Sequence, residues 1–297
     1  MNIVVSGSSG LIGAALCAAL DSRRHSVVRL VRRPASPGES QWDPTSGVID
    51  AKVIDTADAV VNLGGAGIGD RRWTDAYRRE LVDSRVKGTA LLASAISDSA
   101  TPPRVFLSGS AIGAYGPTGD EELTEESPLG TTFLADLCRQ WEAAATHVPA
   151  TTRVALLRTG IVLSPKGGAL KKQLPLFKLG LGGRFGSGRP WQSWISLPDE
   201  VAAIIHLLDS PLAGPVNLTA PQPVRGREFA KVLGTVLRRP ALLPVPPFGP
   251  KLVLGSELAE TLLFTGQRVL PAKLLVDGFE FAHPRLDQAL RAVLGRS

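Results

Sequence analysis

The sequence predicts an α/β fold: a doubly wound, mostly parallel sheet with a smaller C-terminal α/β and helical lobe. Three observations carry this. β-Branched apolar runs alternate with segments of helical periodicity through roughly the first half of the chain. A glycine-spaced turn follows the first of those runs. After about Leu163 the character changes to glycine-rich and proline-rich stretches.

The first run, Ile3-Val4-Val5, stops at Gly7. Residues 11–20 then place Ile12, Leu16 and Leu20 on one helical line and Leu11, Ala15 and Ala19 on the next. Further strands are expected at 27–31, 59–63, 105–107 and 154–157, and helices at 75–96 and 132–146. Beyond Leu163 come Gly180-Leu181-Gly182-Gly183, Gly186-Ser187-Gly188 and Pro244-Val245-Pro246-Pro247. Residues 252–275 read as helical, interrupted near Gly266 and at Pro271. Substrate-lobe segments are expected at 164–248 and a C-terminal helical domain at 249–297, with the lobe over the carboxyl edge of the sheet and later strands returning to it.

Composition narrows the class. With 44% hydrophobic and 20% charged residues, the 297-residue chain suits a water-soluble globule with a full core. No run of ~18 uninterrupted apolar residues exists, so no membrane span is expected. The N-terminus has no basic start before its short apolar run and does not read as a secretory signal, which points to the cytoplasm. Cys17 and Cys138 cannot make a disulfide framework or a four-thiolate metal site, and the four histidines show no paired metal spacing. No metal is expected. The net charge of +6 is scattered rather than massed, and aromatics are only 5%, so nucleic acid is not expected as a partner.

Gly7-Ser8-Ser9-Gly10-Leu11-Ile12-Gly13 lies between the first strand and the first helix. Glycines at this spacing permit a tight turn, close backbone approach to a pyrophosphate and close helix–strand contact. The helix start adds free N–H groups and a positive dipole end. Gly7, Ser9, Gly10, Leu11, Ile12 and Gly13 are therefore candidate dinucleotide-binding residues of a Rossmann-type domain spanning 1–163. Where the second strand ends, an NAD site would carry a carboxylate for the ribose 2′-hydroxyl. This chain has Arg32-Arg33-Pro34 there, with no carboxylate until Glu39. Arg32 and Arg33 suit a 2′-phosphate, so NADP (NADPH) is expected in preference to NAD.

Together these residues resemble the extended short-chain dehydrogenase/reductase superfamily. Asn62-Leu63-Gly64-Gly65-Ala66 is similar to its segment beside the adenine and ribose. Ser84-Arg85-Val86 with Thr89 resembles the helix that follows. Leu107-Ser108-Gly109-Ser110-Ala111, running to Ala114-Tyr115-Gly116, resembles the strand and loop of the catalytic serine. Arg158-Thr159-Gly160 resembles the strand reaching the nicotinamide. The resemblance implies Leu63, Gly64, Gly65, Arg85, Ser108 and Arg158 as further cofactor residues and Ser110 as the serine equivalent. Leu181-Gly182-Gly183, Trp194-Ile195 with Asp199, residues 214–221 and Arg268-Val269-Leu270-Pro271 narrow the likeness to an atypical subgroup. That subgroup is NAD-dependent epimerase/dehydratase-like and carries a C-terminal domain of unknown function. It often has Trp-Ile-His where this chain has Trp194-Ile195-Ser196.

Hydride transfer in the superfamily uses a tyrosine acid/base and a lysine four residues later. Anchored on Glu142, those positions here are Leu134 and Cys138. Leucine gives no proton and a thiol has no fixed positive charge. Tyr115 is the substitute donor, with a packing role as its alternative; Asp136 faces another side of the helix, and Cys138 reads as a core residue. Glu121-Glu122 and Glu125-Glu126 read as a solvated acidic loop. Trp191 and Trp194 either cap a substrate or anchor the lobe, and Arg184 and Arg189 either meet a phosphorylated substrate or are solvated.

Two functions stay open. One is an NADP-dependent oxidoreductase or epimerase on a small molecule, a sugar nucleotide or carbonyl compound, with Ser110 and Tyr115 at the reacting centre. The other is a non-catalytic NADP-binding sensor or interaction protein. Either is expected as a monomer or homodimer.

Overall fold

A computed structural model describes residues 1–241 and 244–296. The strands are β1 (Asn2–Ser6), β2 (Ser26–Val31), β3 (Glu39–Gln41), β4 (Ala59–Asn62), β5 (Val105–Ala111), β6 (Glu122–Leu123), β7 (Arg153–Thr159), β8 (Ile161–Leu163), β9 (Trp191–Gln192), β10 (Trp194–Ser196), β11 (Gly214–Leu218), β12 (Val224–Arg225) and β13 (Arg268–Val269). The helices are α1 (Leu11–Ser22), α2 (Ala51–Asp55), α3 (Asp75–Ser97), α4 (Phe133–Ala145), α5 (Gly168–Lys178), α6 (Leu197–Asp209), α7 (Gly226–Leu237), α8 (Phe248–Leu254), α9 (Ser256–Ala259), α10 (Ala272–Val276) and α11 (Leu286–Leu294).

Seven strands form one parallel sheet in the order β11-β7-β5-β4-β1-β2-β3. The strands are apolar on both faces because helices cover both. Val5, Val61, Leu107 and Leu157 face the α1–α6 side, where Leu16, Leu20, Ile204 and Leu207 meet them. Val4, Val60, Phe106 and Leu156 face the other side, against Ile54, Leu92, Ile96 and Ala145. From β1 the chain runs outward through β2 and β3, then returns to the other side of β1 as β4. The order reverses between β1 and β4, which is where an open α/β sheet leaves a crevice at its carboxyl edge.

Short pairs build the lobe over that edge: β8 with β10, β9 with β12, and β6 with β13. The expected long helical stretch at 252–275 is cut earlier than its sequence suggests. Gly255 adopts φ +88°, ending α8, and β13 occupies part of the stretch. Residues 249–296 do not gather a single core of their own. Leu286, Ala289 and Leu290 of α11 pack with Phe229 and Leu233 of α7, whereas Leu274 and Phe279 join the core of the main sheet. Among the described residues no helix is long and apolar enough to cross a membrane.

Candidate functional site

The turn after β1 is made of backbone. Gly7 adopts φ +68°, and a Cβ there would lie 2.6 Å from the Leu63 carbonyl carbon. A Cβ on Gly13 would collide with the Gly7 carbonyl oxygen. The turn, the start of α1 and the segment after β4 thus approach one another more closely than any side chain allows. Gly10 is the N-cap of α1 and supplies no side-chain cap, so the first amides of the helix are left to a ligand or to water. Ser9 and Gly10 are exposed, and Leu11 and Ile12 half-buried. On the far side of the crevice, Asn62 pins the Leu63–Gly65 segment. Its side chain accepts from Ser6 Oγ and donates to Thr89 Oγ1 at 2.7 Å, and Trp141 Nε1 donates to the same Thr89 oxygen at 2.9 Å. A glycine cradle with an uncapped helix start fits a dinucleotide pyrophosphate.

Arg32 and Arg33 follow β2 and are exposed. Arg33 makes a forked pair with Glu39, both N–O distances being 2.7 Å. The guanidinium holds the Glu39 carboxyl down to about 2. The carboxylate that looked remote in sequence therefore lies against one of the two arginines, because β2 and β3 are paired with Arg29 opposite Glu39.

Three residues expected at the cofactor are buried. Arg158 is 4% exposed and gives Glu142 a two-point ion pair at 2.8 and 2.9 Å. Ser108 is fully buried, and its Oγ has no partner among the described residues. Arg85 is buried beside Gly65, donating to the carbonyls of Leu81 and Ala66, with its guanidinium 5.2 Å from the Trp141 ring centroid. Among the described residues it pairs with no carboxylate, and burial lowers its pKa.

The two hydroxyls expected at the reacting centre belong to one buried chain of polar groups. Ser110 Oγ donates to Glu142 Oε1 at 2.6 Å. Arg158 Nη1 donates to the Tyr115 hydroxyl at 3.0 Å, and that hydroxyl donates to Asn217 Oδ1 at 2.6 Å. The Asn217 N–H donates to Glu125 Oε1 at 3.0 Å. Burial pushes the Tyr115 phenol up, which keeps its proton on. Glu125 corrects the reading of its loop as solvated: it is 5% exposed and also accepts from the Lys273 N–H. Sequence reasoning missed Asn217 and Glu125 because they come from segments 92 residues apart.

A cavity of about 340 Å³ opens at the carboxyl edge of the sheet. Ala111 to Gly113 at the end of β5 and Thr159 to Ile161 at the end of β7 form its inner wall, and Trp191, Gln192 and Leu262 to Leu263 are among the residues that close it. Leu134 lines it, and no tyrosine or lysine does among the described residues. Cys138 lies behind, buried, its thiol pushed up to about 11 by burial. Trp194 is an anchor, fully buried with Nε1 donating to the Gln222 carbonyl at 3.0 Å, whereas Trp191 faces the cavity. Arg184 and Arg189 are exposed.

Sequence reasoning also missed Glu200. It is completely buried in the first turn of α6, and Thr159 Oγ1 lies 2.8 Å from its Oε1. Its Oε2 has no partner among the described residues, and burial pushes the carboxyl up to about 8. Protonated, Glu200 can donate to Thr159 and leave the threonine proton free for another acceptor.

Residues 3–219 match the model of the NAD dependent epimerase/dehydratase family. The chain belongs to that family. Residues 245–293 match a domain of unknown function, DUF1731. An epimerase family protein of Mycobacterium tuberculosis is 45% identical over 291 residues, covering 97% of this chain and 96% of that protein. The human epimerase family protein SDR39U1 is 36% identical over 298 residues, covering 99% of this chain and 100% of that one. A crystal structure of human SDR39U1 (isoform 2) with NADPH superposes at TM-score 0.92, with 35% identity and 99% of both chains covered. A nucleoside-diphosphate sugar epimerase from Corynebacterium glutamicum superposes at 0.79, with 35% identity, 99% of this chain and 58% of the other covered.

Proposed function

We propose that this family member is an NADPH-dependent oxidoreductase acting on a small molecule bound in the cavity at the carboxyl edge. The observation that carries the reading is the placement of that cavity on the same edge as the glycine cradle, between the ends of β5 and β7. Gly7, Ser9, Gly10, Leu11, Ile12 and Gly13 hold the pyrophosphate by backbone N–H groups, and Leu63, Gly64 and Gly65 form the opposite wall. Arg32 takes the 2′-phosphate, with Arg33 beside it and oriented by Glu39. Preference for NADPH over NADH is supported by that arginine pair and by the NADPH in the human relative's crystal. When bound, NADPH supplies a hydride; the protein supplies orientation and a proton. Arg85, Ser108 and Arg158 support the crevice from behind, and Ser110 and Tyr115 act as positioning residues of the buried polar chain. The proton donor proposed on the inner wall of the cavity is Thr159, backed by Glu200.

A second reading, a cofactor-binding sensor without turnover, is favoured by the engaged hydroxyls of Ser110 and Tyr115 and by the lack of a lining tyrosine or lysine among the described residues. Incubating NADPH-loaded protein with carbonyl compounds and sugar nucleotides separates the two. Substrate-dependent loss of NADPH absorbance upholds the oxidoreductase; retained NADPH across the panel, with binding intact, upholds the sensor.

A further inference from the structure

The wall of the cavity is nearly free of charge. Among the described residues lining it there is no lysine, arginine or histidine, and its one carboxylate, Glu260, is exposed and paired with Lys251 at 2.8 Å. The two arginines stacked on Trp191 each pair with a carboxylate. The Arg225 guanidinium stacks 4.0 Å from the Trp191 ring centroid and pairs with Asp120. Arg268 stands 4.8 Å from the same centroid and pairs with Glu122 at 2.7 Å. Most of what faces the space is carbon, from Ile112, Leu134, Ile161, Phe185, Trp191 and Leu263, and the polar groups beside it, such as Thr132, Gln192 and Gln267, are uncharged. A diphosphate entering here would lose its water with no guanidinium to replace it. An uncharged molecule would gain from apolar burial, and one oxygen of it would find the Thr159 hydroxyl at the inner wall. The volume of about 340 Å³ also stands near the small end of ligand pockets.

We infer that the cavity takes an uncharged, mainly apolar small molecule carrying a carbonyl or hydroxyl group, and not a nucleoside diphosphate sugar. This deepens the oxidoreductase reading and, as a statement about substrate, rests on it. The exposed Arg184, Arg189 and Arg227, next to the lining residues Gly188 and Gly226 but not themselves lining the cavity, are the places where a diphosphate would have to be caught if the inference were wrong.

The test is calorimetric titration of the full-length protein in three arms: NADPH alone, then benzylacetone and UDP-glucose each added to NADPH-saturated protein. Benzylacetone is expected to bind at one site, and UDP-glucose to give no heat and no competition. Leu262→Arg places a cation at an exposed part of the wall; it should weaken benzylacetone at least ~10-fold while leaving NADPH affinity unchanged, because a charge must then be desolvated beside an apolar ligand. Thr159→Val should weaken benzylacetone by about 5- to 10-fold but leave butylbenzene, its hydrocarbon counterpart, unaffected, as expected for loss of one hydrogen bond. Binding of UDP-glucose, or failure of both benzylacetone and 2-decanone to bind, overturns the inference. If NADPH fails to bind while benzylacetone still does, the cofactor reading falls and the cavity assignment is upheld.

Discussion

The glycine cradle and the cavity lie on the same edge of one sheet but are built in opposite ways. The cradle is contiguous backbone: seven residues, Gly7 to Gly13, whose shape depends on the lack of a side chain at Gly7 and Gly13. The cavity is assembled from side chains that arrive from at least four distant segments, around Ile112, Thr159, Trp191 and Leu263. Behind it stand two buried carboxylates with opposite histories. Glu142 is charged and held by Arg158 at two points. Among the described residues Glu200 has one hydrogen-bond partner and an orphan oxygen, and burial pushes its carboxyl up to about 8. A contiguous backbone site depends on what is left out, whereas a site of converging side chains depends on how each buried polar group is matched.

The largest expected effect comes from unmatching the charged carboxylate. Arg158→Leu leaves Glu142 buried without its partner and should lower stability by about 3–5 kcal/mol, read as a fall in the denaturant midpoint. Arg158→Leu combined with Glu142→Leu should recover a good part of that loss. Recovery of nothing would mean that the pair is not what holds this region.

Glu200 should behave in the reverse sense. Its carboxyl ordinarily titrates at 4.5 and is raised to about 8 in the fold. Between those values the folded chain keeps a proton that the unfolded chain releases, so folding stability falls as pH rises through this window. The slope is about 1.4 kcal/mol per pH unit, and the loss is complete above the folded value. Glu200→Gln removes the titration. Its stability should exceed that of the parent by about 3 kcal/mol at pH 6.5 on that slope, and the gap should vanish below pH 4.5. Parallel stability–pH curves for the two proteins would contradict the assignment.

Gly13→Ala tests the cradle itself. The added methyl meets the Gly7 carbonyl oxygen, so the start of α1 must move away from the turn. Overpacking of this kind costs about 1–3 kcal/mol. NADPH affinity should fall by more than the ketone affinity of the cavity, since only the cradle is deformed. Equal loss at both would tie the two regions together mechanically.

The smallest expected effect is at the arginines. Arg32→Ala should weaken NADPH about tenfold, consistent with loss of one charge-assisted hydrogen bond, and leave NADH unchanged. Arg33→Ala should act in the same direction but less, because part of the Arg33 fork is already committed to Glu39. Equal weakening of both nucleotides would remove the 2′-phosphate from the argument.

The same contrast explains what was legible. Strands such as Val4–Val5, Val60–Val61 and Phe106–Leu107 are apolar on both faces, a pattern local enough to read directly. The Gly7–Gly13 spacing is local too, and needs only a strand before it and a helix after it. Glu125 looked solvated because its sequence neighbours are acidic; its partners, Asn217 and Lys273, come from far along the chain. Glu200 sits in a helix start rich in acids, where a carboxylate is ordinary, and only its contact with Thr159 reveals that it is buried. The apolar stripe of α11 announces that it packs, but not that its partner is α7. Hydrophobic pattern specifies that a face is buried and leaves the identity of the partner to tertiary geometry.

The central claim is that the glycine cradle holds NADPH, and direct titration of the purified full-length chain tests it best. The account predicts saturable binding of NADPH at micromolar concentration, weaker binding of NADH, and loss of both in Gly13→Ala. An intrinsic fluorescence and calorimetric response that stays flat with both nucleotides at millimolar concentration would contradict it.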